Sequence, residues 1–433
     1  MQNKPVKIKE LCEFIWIIEE KYKLFDLKIE EVYIWEYIRM QVYYKLAIEL
    51  KVLTPPGKKV SLFDRIKVLL KGFKNSFVNN FWTLHKNDCI VFSHPRSVLV
   101  NNAYIDIYSE HVIKELNTSK SVLDFETDYQ GSHIRERKHK VHKLDWVKQW
   151  VYFKYLFVRK ERILSNDQIN LIHSIENEFF QKFGLKLSLL NLIETKVKLF
   201  KIYYDIYFKI FKKVNPSEIY VVVSYYLAPI IKAAKDNAIE VKELQHGVIT
   251  KYHLGYSYPS LKKSLHYFPD KLLIWGRNWK KNIVYPIDEK NIVLDKFRYL
   301  EEIRNQFKNV TKEKDTYLII SQTAISEKIA KKVMENKSFF KGKTIYYKLH
   351  PAEYDIWQNN KYLNELVRLM NVEIITNQKN LYHFMALCEY QVGVFSTALY
   401  EGLVFNCKTV LLDVDGIEYM DDFMEVNDPI ILK

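Results

Sequence analysis

The sequence lacks the patterns that would tie it to a nucleic acid, a metal ion or a dinucleotide cofactor. It has no arginine-rich arm, zinc-ligand spacing or RNA-recognition motif, and neither a Gly-x-Gly-x-x-Gly loop nor a Walker lysine loop. Its cysteines are scattered, which is typical of buried thiols in a reducing compartment: Cys12, Cys89, Cys388 and Cys407. We therefore expect a globular protein that binds no nucleic acid and needs no metal or cofactor.

Long apolar segments are also missing. The N-terminus carries no apolar signal-peptide core, and the longest uncharged run, residues 219–231, is too short to cross a bilayer. The expected location is the cytoplasm, with at most a peripheral contact with the cytoplasmic face of the inner membrane. A basic amphipathic segment at residues 62–78 fits either an anionic leaflet or a solvated face over the core, and we favour the second.

The charge balance is strongly basic. Lysine and arginine number 66 against 52 aspartates and glutamates, which gives a net charge of +14 over 433 residues. Without a nucleic-acid motif, this excess favours a phosphate-bearing small substrate or an anionic membrane surface. Residues 131–143 are polar and basic, and we expect a mobile loop there that faces the acceptor.

Two parts of the chain alternate between strand-like and helix-like patterns. Short apolar and β-branched runs alternate with helical patterns of about ten residues, which predicts parallel, doubly wound sheets. The predicted strands are residues 88–96, 121–126, 218–226, 240–247 and 271–276 in one part and 316–320, 344–349, 372–375, 391–395 and 408–412 in the other. The expected organisation is a helical N-terminal region at 1–85 and two Rossmann-like domains at 86–300 and 301–433.

Polar residues follow two strands of the second predicted sheet, where parallel strands open onto a ligand crevice. His350 can donate a hydrogen bond or carry a proton, and Pro351 fixes the turn that presents it. Ser396 and Thr397 stand where the next helix should begin, with hydroxyls and backbone N–H groups for an anion. Glu401, one turn later, can accept from a sugar hydroxyl. Together these residue types indicate a nucleotide-sugar site.

Two more residues belong to this predicted donor site. Gln322 follows the strand at 316–320, and Lys348 shares a face with His350 if its strand stays regular to the end. An Asp-x-Asp motif occurs at Asp413 and Asp415, after the last predicted strand, and we do not expect it to hold a metal. The leaving phosphate would then be stabilised by side chains and a helix dipole.

The acceptor side should come from the first Rossmann-like domain. A Ser-His-Pro-Arg turn places His94 and Arg96 at the end of its first strand, and a second turn follows the strand at 240–247. Residues 248–269 should form a flexible aromatic loop that closes over the acceptor. The acceptor-side residues are His94, Arg96, Gln245, His253 and Tyr256.

Transfer to a hydroxyl also needs a base. His246 leads because its usual pKa lies near working pH and Gly247 leaves room for a ligand. Asp106 is the second candidate, followed by His94 and Glu126.

The order strand, His-Pro, strand, Ser-Thr, helix with Glu-Gly resembles the carboxyl-terminal half of bacterial GT-B glycosyltransferases. The similar enzymes build capsule, O-antigen and lipooligosaccharide and include sialyl-, polysialyl- and Kdo-transferases. The resemblance covers residues 316–415 well and 215–280 more loosely. It implies two Rossmann-like domains facing a crevice. It also implies that His350, Ser396 and Thr397 bind the phosphate of a CMP-activated sugar.

The function that follows from this resemblance is metal-independent, inverting transfer of a sialic acid-like or Kdo-like sugar to a surface glycan or a lipid-linked glycan. The acidic Asp/Glu-Asp/Glu-Gly motif of the sialyltransferase-like families has no clear counterpart in the first domain. Three alternatives stay open: a CDP-polyol phosphotransferase, a transferase that uses a UDP or GDP sugar, and an inactive GT-B scaffold.

Overall fold

A computed structural model describes residues 6–53, 70, 72–100, 103–128, 133, 137, 139–158, 162–261, 264–377 and 380–433. Most of the basic segment predicted at 62–78 lies outside this range, although residues 72–78 are helical. Within the described ranges, no helix combines the length and the apolar character needed to span a bilayer.

In the described part of the chain, seven parallel strands form the first sheet. The chain enters at a central strand, builds outward to one edge and then returns to the other side of that strand. Such a reversal leaves a crevice at the carboxyl ends of the two strands that flank it. The strands are Cys89–Ser93, Val122–Glu126, His142–Lys143, Glu218–Val222, Glu240–Leu244, Lys271–Ile274 and Ile292–Leu294.

The second sheet has six parallel strands over the same described ranges. As in the first sheet, the chain starts at a central strand, builds outward to one edge and then returns to the other side of that strand. Its reversal lies between its first and fourth strands, so the crevice opens between the turns after Ile320 and Gly393. The strands are Glu313–Ile320, Thr344–Lys348, Val372–Ile375, Cys388–Gly393, Lys408–Leu412 and Ile430–Leu432.

Helices cover both sheets, and their ends follow local sequence. Ser165 and Gln168 form a reciprocal capping box at the start of one helix, and Gly184 ends it in the left-handed region. Besides the helical residues 72–78, the described helices of the first domain are Ile8–Lys21, Ile34–Glu49, Glu110–Leu116, Asp145–Leu156, Asn166–Phe183, Leu189–Val214 and Ala228–Asp236. Those that follow are Arg298–Gln306, Ser326–Glu335, Lys361–Met370, Leu381–Leu387, Thr397–Val404 and Asp421–Asn427.

The two parallel sheets confirm the predicted α/β class with two Rossmann-like domains. The predicted division at residue 300 falls in the helix Arg298–Gln306, between the last strand of one sheet and the first strand of the other. Two antiparallel pairs were not predicted: Lys28–Ile29 with Val32–Tyr33, and Ser97–Val100 with Ala103–Asp106.

The N-terminal helices are part of the first domain's body. Residues of Ile8–Lys21 and Ile34–Glu49 share one buried apolar cluster with Asn166–Phe183, the start of Leu189–Val214, and the loop after the strand Glu240–Leu244. That loop was predicted to be flexible, but Tyr252, Leu254, Tyr256, Ser257 and Tyr258 are all buried. Packing from the N-terminal helices, which no local pattern encodes, fixes these residues of the loop.

A buried ion pair joins these parts. The Arg39 guanidinium binds the Glu19 carboxylate through two hydrogen bonds of 2.6 and 2.9 Å, and both side chains are at most 1% exposed. Arg39 also donates to the carbonyl oxygens of Leu254 and Ser257 and lies 4.2 Å from the ring centre of Tyr258. One arginine therefore ties two N-terminal helices to the aromatic loop.

Replacing this arginine should destabilise the first domain strongly. Arg39→Met keeps the apolar stem but leaves the Glu19 carboxylate buried without its partner, which costs about 3 to 5 kcal/mol. We expect a clear fall in the urea midpoint measured by tryptophan fluorescence. The matched control is Lys21→Met, which breaks an exposed ion pair with Glu178 and should leave the midpoint unchanged. Equal midpoints for both variants would contradict a buried, stabilising pair.

Candidate functional site

The two crevices face each other across one interdomain cleft. The backbone N–H of Val248 donates to Thr397 Oγ1 at 3.2 Å, and Arg96 Nη2 lies 3.9 Å from Glu401 Oε1. A Cβ atom on Gly247 would stand 3.3 Å from Thr397 Oγ1, so glycine permits this close approach. Residues that follow strands of different sheets therefore meet in a single place.

The wall formed by the second domain is centred on His350. Its Nδ1 accepts from the Ala352 N–H at 3.2 Å and lies 2.8 Å from Thr323 Oγ1, so in the neutral ring Nε2 carries the proton. Glu353 fixes the turn by accepting from the His350 N–H and the Ser321 hydroxyl. Partial desolvation at the cleft wall, with the charges of Arg96 and Lys348 nearby, lowers the pKa of His350. The exposed edge of this ring is a neutral hydrogen-bond donor.

The same histidine geometry recurs in the first domain. In the His94-Pro95-Arg96 turn, His94 Nδ1 accepts from the Arg96 N–H at 3.1 Å, as His350 Nδ1 does from Ala352. Burial and the Arg96 charge lower the pKa of His94 to about 4. Each domain therefore contributes one neutral His-Pro histidine to the cleft.

The start of the helix Thr397–Val404 forms the next part of the second wall. Ser396 caps this helix, with its Oγ accepting from the Ala398 N–H at 3.2 Å, and its hydroxyl proton stays available for donation. Gln322 Oε1 accepts from the Phe395 N–H at 3.2 Å. Gln322 therefore holds the turn before the helix, and the helix presents its first N–H groups to the cleft.

Arg96 and Glu401 form the charged centre of the cleft. Glu401 is buried, with Oε2 accepting from the Tyr382 hydroxyl at 2.8 Å, while Oε1 has no hydrogen-bond partner among the described residues. Arg96 Nη1 donates to the Tyr108 hydroxyl at 2.7 Å, and the side chain keeps 42% of its surface exposed. The guanidinium of a partly exposed arginine from the first domain thus lies beside a buried carboxylate of the second.

His246 stands on the opposite wall, at the turn that follows Glu240–Leu244. Its Nδ1 lies 3.2 Å from the Tyr256 hydroxyl, and that hydroxyl donates to Glu243 Oε1 at 2.6 Å. Burial, together with the nearby His253, His94 and Arg96, holds the pKa of His246 well below its usual value. The ring is therefore neutral near pH 7, which is the state in which it can accept a proton.

Asp106, the second candidate base, is fully buried. Its carboxylate accepts from the N–H groups of His94 and Tyr108 and from the Ser109 hydroxyl, at 2.8, 2.9 and 2.5 Å. Burial raises its pKa to about 6. These bonds make Asp106 the support of the His94 turn and do not bring it to the cleft.

Gln245 and His253 lie behind the first wall. Gln245 is buried, accepts from the Trp275 N–H and donates to the Gly247 carbonyl, both at 2.8 Å. His253 Nδ1 accepts from the Gly255 N–H, and burial lowers the pKa of this ring to about 4. Both residues hold backbone turns, while Tyr256 contacts His246 directly.

Lys348 turns away from His350. Its ammonium group donates to the Tyr354 hydroxyl at 3.0 Å and to the Thr376 carbonyl at the end of the neighbouring strand. Burial lowers its pKa to about 8. Asp415 of the Asp-x-Asp motif pairs with Lys328 at 2.7 Å.

Three described residues of the basic stretch at 131–143 are held by buried carboxylates. His133 lies 2.7 Å from both Glu126 and Asp145, and these contacts raise its pKa to about 9 despite its burial. Arg137 and His139 both contact Asp124, at 2.6 and 2.7 Å. The sequence does not reveal these acidic partners, and residues 131–132, 134–136 and 138 of the predicted mobile loop lie outside the described residues.

The sequence patterns did not identify several residues that lie at the site. Glu353 stands three residues after His350, which is the spacing of a capping box and could have identified it. Glu243 lies between buried positions of a strand, where a carboxylate without a function is costly. Thr323, Tyr108 and Tyr382 carry no comparable signal, because only tertiary packing brings them to the cleft.

No protein-family model and no curated protein matches the sequence. Among solved structures, UDP-GlcNAc 2-epimerase from Methanocaldococcus jannaschii is 12% identical over 79% of this chain and 88% of that one, with a TM-score of 0.44. A glycosyltransferase from Rickettsia africae is 13% identical over 77% and 80%, with a TM-score of 0.36. Spinosyn rhamnosyltransferase SpnG, complexed with spinosyn aglycone, is 10% identical over 80% and 86%, with a TM-score of 0.38. These values are too low to transfer an activity.

Proposed function

We propose that this protein is a metal-independent, inverting glycosyltransferase that moves a sugar from a nucleotide donor to a hydroxyl of a bacterial surface glycan. The proposal depends on one observation. The carboxyl ends of two parallel sheets meet in a cleft, where hydrogen-bond donors of the second domain face the neutral His246 of the first. His350, Ser396 and Thr397 supply hydrogen-bond donors beside a helix N-terminus, which suits a phosphate. His246 stands on the other wall as the base.

The reaction would be a single displacement. His246 Nε2 accepts the proton of the acceptor hydroxyl while the acceptor oxygen forms a bond to the anomeric carbon of the donor sugar. The bond between that carbon and the phosphate oxygen breaks, and the nucleotide leaves with the bonding electrons. The negative charge on the phosphate is stabilised by His350, the Ser396 and Thr397 hydroxyls, the helix dipole and Arg96. Attack opposite the leaving group inverts the configuration.

The proposed donor is a CMP-activated sialic acid-like or Kdo-like sugar. Such a donor carries a carboxylate on the anomeric carbon as well as its phosphate, and thus presents two anionic groups close together. The Arg96 side chain is partly exposed and its guanidinium lies 3.9 Å from Glu401 of the donor wall, and its planar fork suits a carboxylate. A UDP or GDP sugar is the alternative donor, and a CDP-polyol would make the protein a phosphotransferase.

CMP should stabilise the folded protein. At about one hundred times its dissociation constant, a ligand adds about 2.7 kcal/mol of stability, which raises Tm by roughly 5 °C or more for a domain of this size. His350→Ala should remove most of the increase because the ring donates to the phosphate. Differential scanning fluorimetry with CMP, UDP and GDP measures these shifts.

The matched control is His173→Ala, which changes an exposed histidine on the helix Asn166–Phe183 and should keep the full shift. Stabilisation by UDP or GDP but not by CMP would reject the CMP donor and retain the transferase. A shift that survives His350→Ala would reject the assigned phosphate site.

His246→Gln should lower kcat by about 10²-fold or more, as expected when a positioned base is lost. The Tm shift with donor nucleotide should stay unchanged, because the donor binds the opposite wall. Since the pKa of His246 is held well below its usual value, the base stays neutral down to a low pH. The wild-type rate should therefore hold through about pH 6.5 and fall only when the medium is acidic enough to protonate the ring.

Product analysis distinguishes the remaining alternatives. A new glycosidic bond supports the transferase, and a new phosphodiester would identify a polyol phosphotransferase. Absence of turnover with every nucleotide donor, together with tight binding to glycan-assembly enzymes, would favour the scaffold. Near-normal kcat in His246→Gln and loss of activity in Asp106→Asn would transfer the role of base to Asp106.

A peripheral contact with an anionic membrane is the last part of the proposal. Large aromatic side chains are exposed on residues 72–82 and around the helix Asp145–Leu156, and the two segments are joined by a Ser76–Gln149 hydrogen bond of 2.9 Å. The chain's net charge of +14 favours an anionic surface. The exposed aromatic residues are Phe73, Phe77, Trp82, Trp150, Tyr152, Phe153 and Phe157.

The protein should float with vesicles that contain anionic lipid and much less with purely zwitterionic vesicles. Trp82→Ser combined with Phe157→Ser should reduce the bound fraction several-fold, because apolar area that enters the interface is removed. Phe180→Ser, which changes an exposed phenylalanine on another helix, is the control. Equal binding of the double variant and the control would reject this surface as the membrane contact.

A further inference from the structure

A chain of hydrogen bonds runs behind His246 into the first domain. Glu243 is fully buried on the strand Glu240–Leu244 and accepts at Oε1 from two donors, the Ser224 N–H at 3.0 Å and the Tyr256 hydroxyl at 2.6 Å. Tyr256 is also fully buried, and its oxygen lies 3.2 Å from His246 Nδ1. The tyrosine oxygen therefore stands between a carboxylate and an imidazole ring.

The position of the single tyrosine proton follows from these contacts. Glu243 Oε1 already accepts a hydrogen bond from the Ser224 N–H, so this oxygen acts as an acceptor whether or not Oε2 carries a proton. The shorter contact, 2.6 Å, is the one through which the Tyr256 hydroxyl donates. With its proton used in this way, the Tyr256 oxygen can only accept from His246, and Nδ1 must be the protonated nitrogen.

We propose that Glu243 and Tyr256 are positioning residues that hold His246 in the tautomer with Nδ1 protonated and Nε2 free to accept a proton. The inference rests on the proposed function in one respect only, the role of His246 as the base. When Nε2 takes the acceptor's proton, the resulting cation keeps its Nδ1–H bond to Tyr256. The dipole of the Tyr256 hydroxyl, oriented by its bond to Glu243 Oε1, then stabilises that charge.

The fold holds Tyr256 firmly in this place. Arg39 donates to the carbonyl oxygens of Leu254 and Ser257, two residues before and one residue after Tyr256. The tyrosine ring packs edge-on against Phe268. The hydroxyl is therefore positioned by the buried Arg39–Glu19 pair as well as by its own two hydrogen bonds.

The test is the tautomer of His246 in the full-length protein. Long-range ¹H–¹⁵N NMR of the histidine-labelled chain at pH 7.5 distinguishes protonated from bare ring nitrogens, and His246→Gln assigns the signal. We expect Nδ1 protonated and Nε2 bare in the wild type. In Tyr256→Phe, which removes one oxygen atom, we expect a mixture with Nε2 protonated. We also expect kcat to fall about tenfold with KM unchanged, as for one lost hydrogen bond to a group that becomes charged.

The control is Tyr258→Phe. Tyr258 is a buried tyrosine of the same loop whose hydroxyl donates to the Gly255 carbonyl at 3.3 Å, and its loss should leave the His246 tautomer and kcat unchanged. The wild-type spectrum decides the proposal even if Tyr256→Phe fails to fold, since a protonated Nε2 there overturns it. A wild-type tautomer and a wild-type kcat in folded Tyr256→Phe would overturn it as well.

Failure of the proposed function looks different. A wild-type spectrum with Nδ1 protonated, lost in Tyr256→Phe and kept in Tyr258→Phe, supports the hydrogen-bond chain whatever reaction is catalysed. If the same preparation turns over no nucleotide sugar, the transferase assignment fails and the tautomer assignment stands. If a nucleotide sugar is consumed and His246→Gln is inactive, but the wild-type ring carries its proton on Nε2, the base stands and the positioning roles of Glu243 and Tyr256 fail.

Discussion

In a parallel sheet the carboxyl ends of all strands lie at the same edge, and this constraint determines where a ligand site can form in the molecule. Both sheets reverse direction beside their first strand, so each has one crevice at its carboxyl edge. The His350 turn and the Ser396 turn follow strands of one sheet, and the His94 and His246 turns follow strands of the other. Because the two edges face each other, residues far apart in sequence act on one volume.

The charges in this volume are arranged so that its histidines stay neutral. Arg96 lies among His94, His246 and His350, and its charge adds to desolvation in lowering the pKa of each ring. Glu401 beneath it keeps one oxygen without a hydrogen-bond partner among the described residues. This arrangement of neutral imidazole rings around the partly exposed Arg96 favours an anionic ligand, because such a ligand can pair with the guanidinium. The neutral rings can at the same time donate and accept protons.

The sequence predicted those features whose signal is local. Strands buried on both faces appear as continuous apolar runs, and residues 372–375 and 408–412 were placed at the observed bounds. The edge strands Ile292–Leu294 and Ile430–Leu432 were missed because three residues give too short a pattern. His350, Ser396 and Glu401 all follow strands of one sheet, and their grouping in one donor pocket stays a prediction.

The missed features depend on contacts between distant residues. Lys348 was predicted to share a face of its strand with His350. Its ammonium group instead donates to the carbonyl of Thr376, at the end of the neighbouring strand. The loop that carries Tyr256 is held by hydrogen bonds from the Arg39 guanidinium, and Arg39 lies more than two hundred residues earlier in the chain. No periodicity or spacing encodes such a pair, since each residue alone has the pattern of an ordinary helix or loop position.

The N-terminal helices contact both domains. They touch the second domain through a Tyr43–Tyr419 hydroxyl contact and a bond from Lys328 to the Lys51 carbonyl. Their buried ion pair meanwhile fixes the loop that carries Tyr256. Other polar contacts also join the two domains. They are the Val248–Thr397 bond, the Arg96–Glu401 pair, and the Lys251–Asp421, Lys281–Glu425 and Asn282–Asp422 contacts at 3.1, 3.0 and 2.6 Å. The N-terminal segment therefore positions the loop behind His246 and, together with these contacts, joins that wall to the second domain.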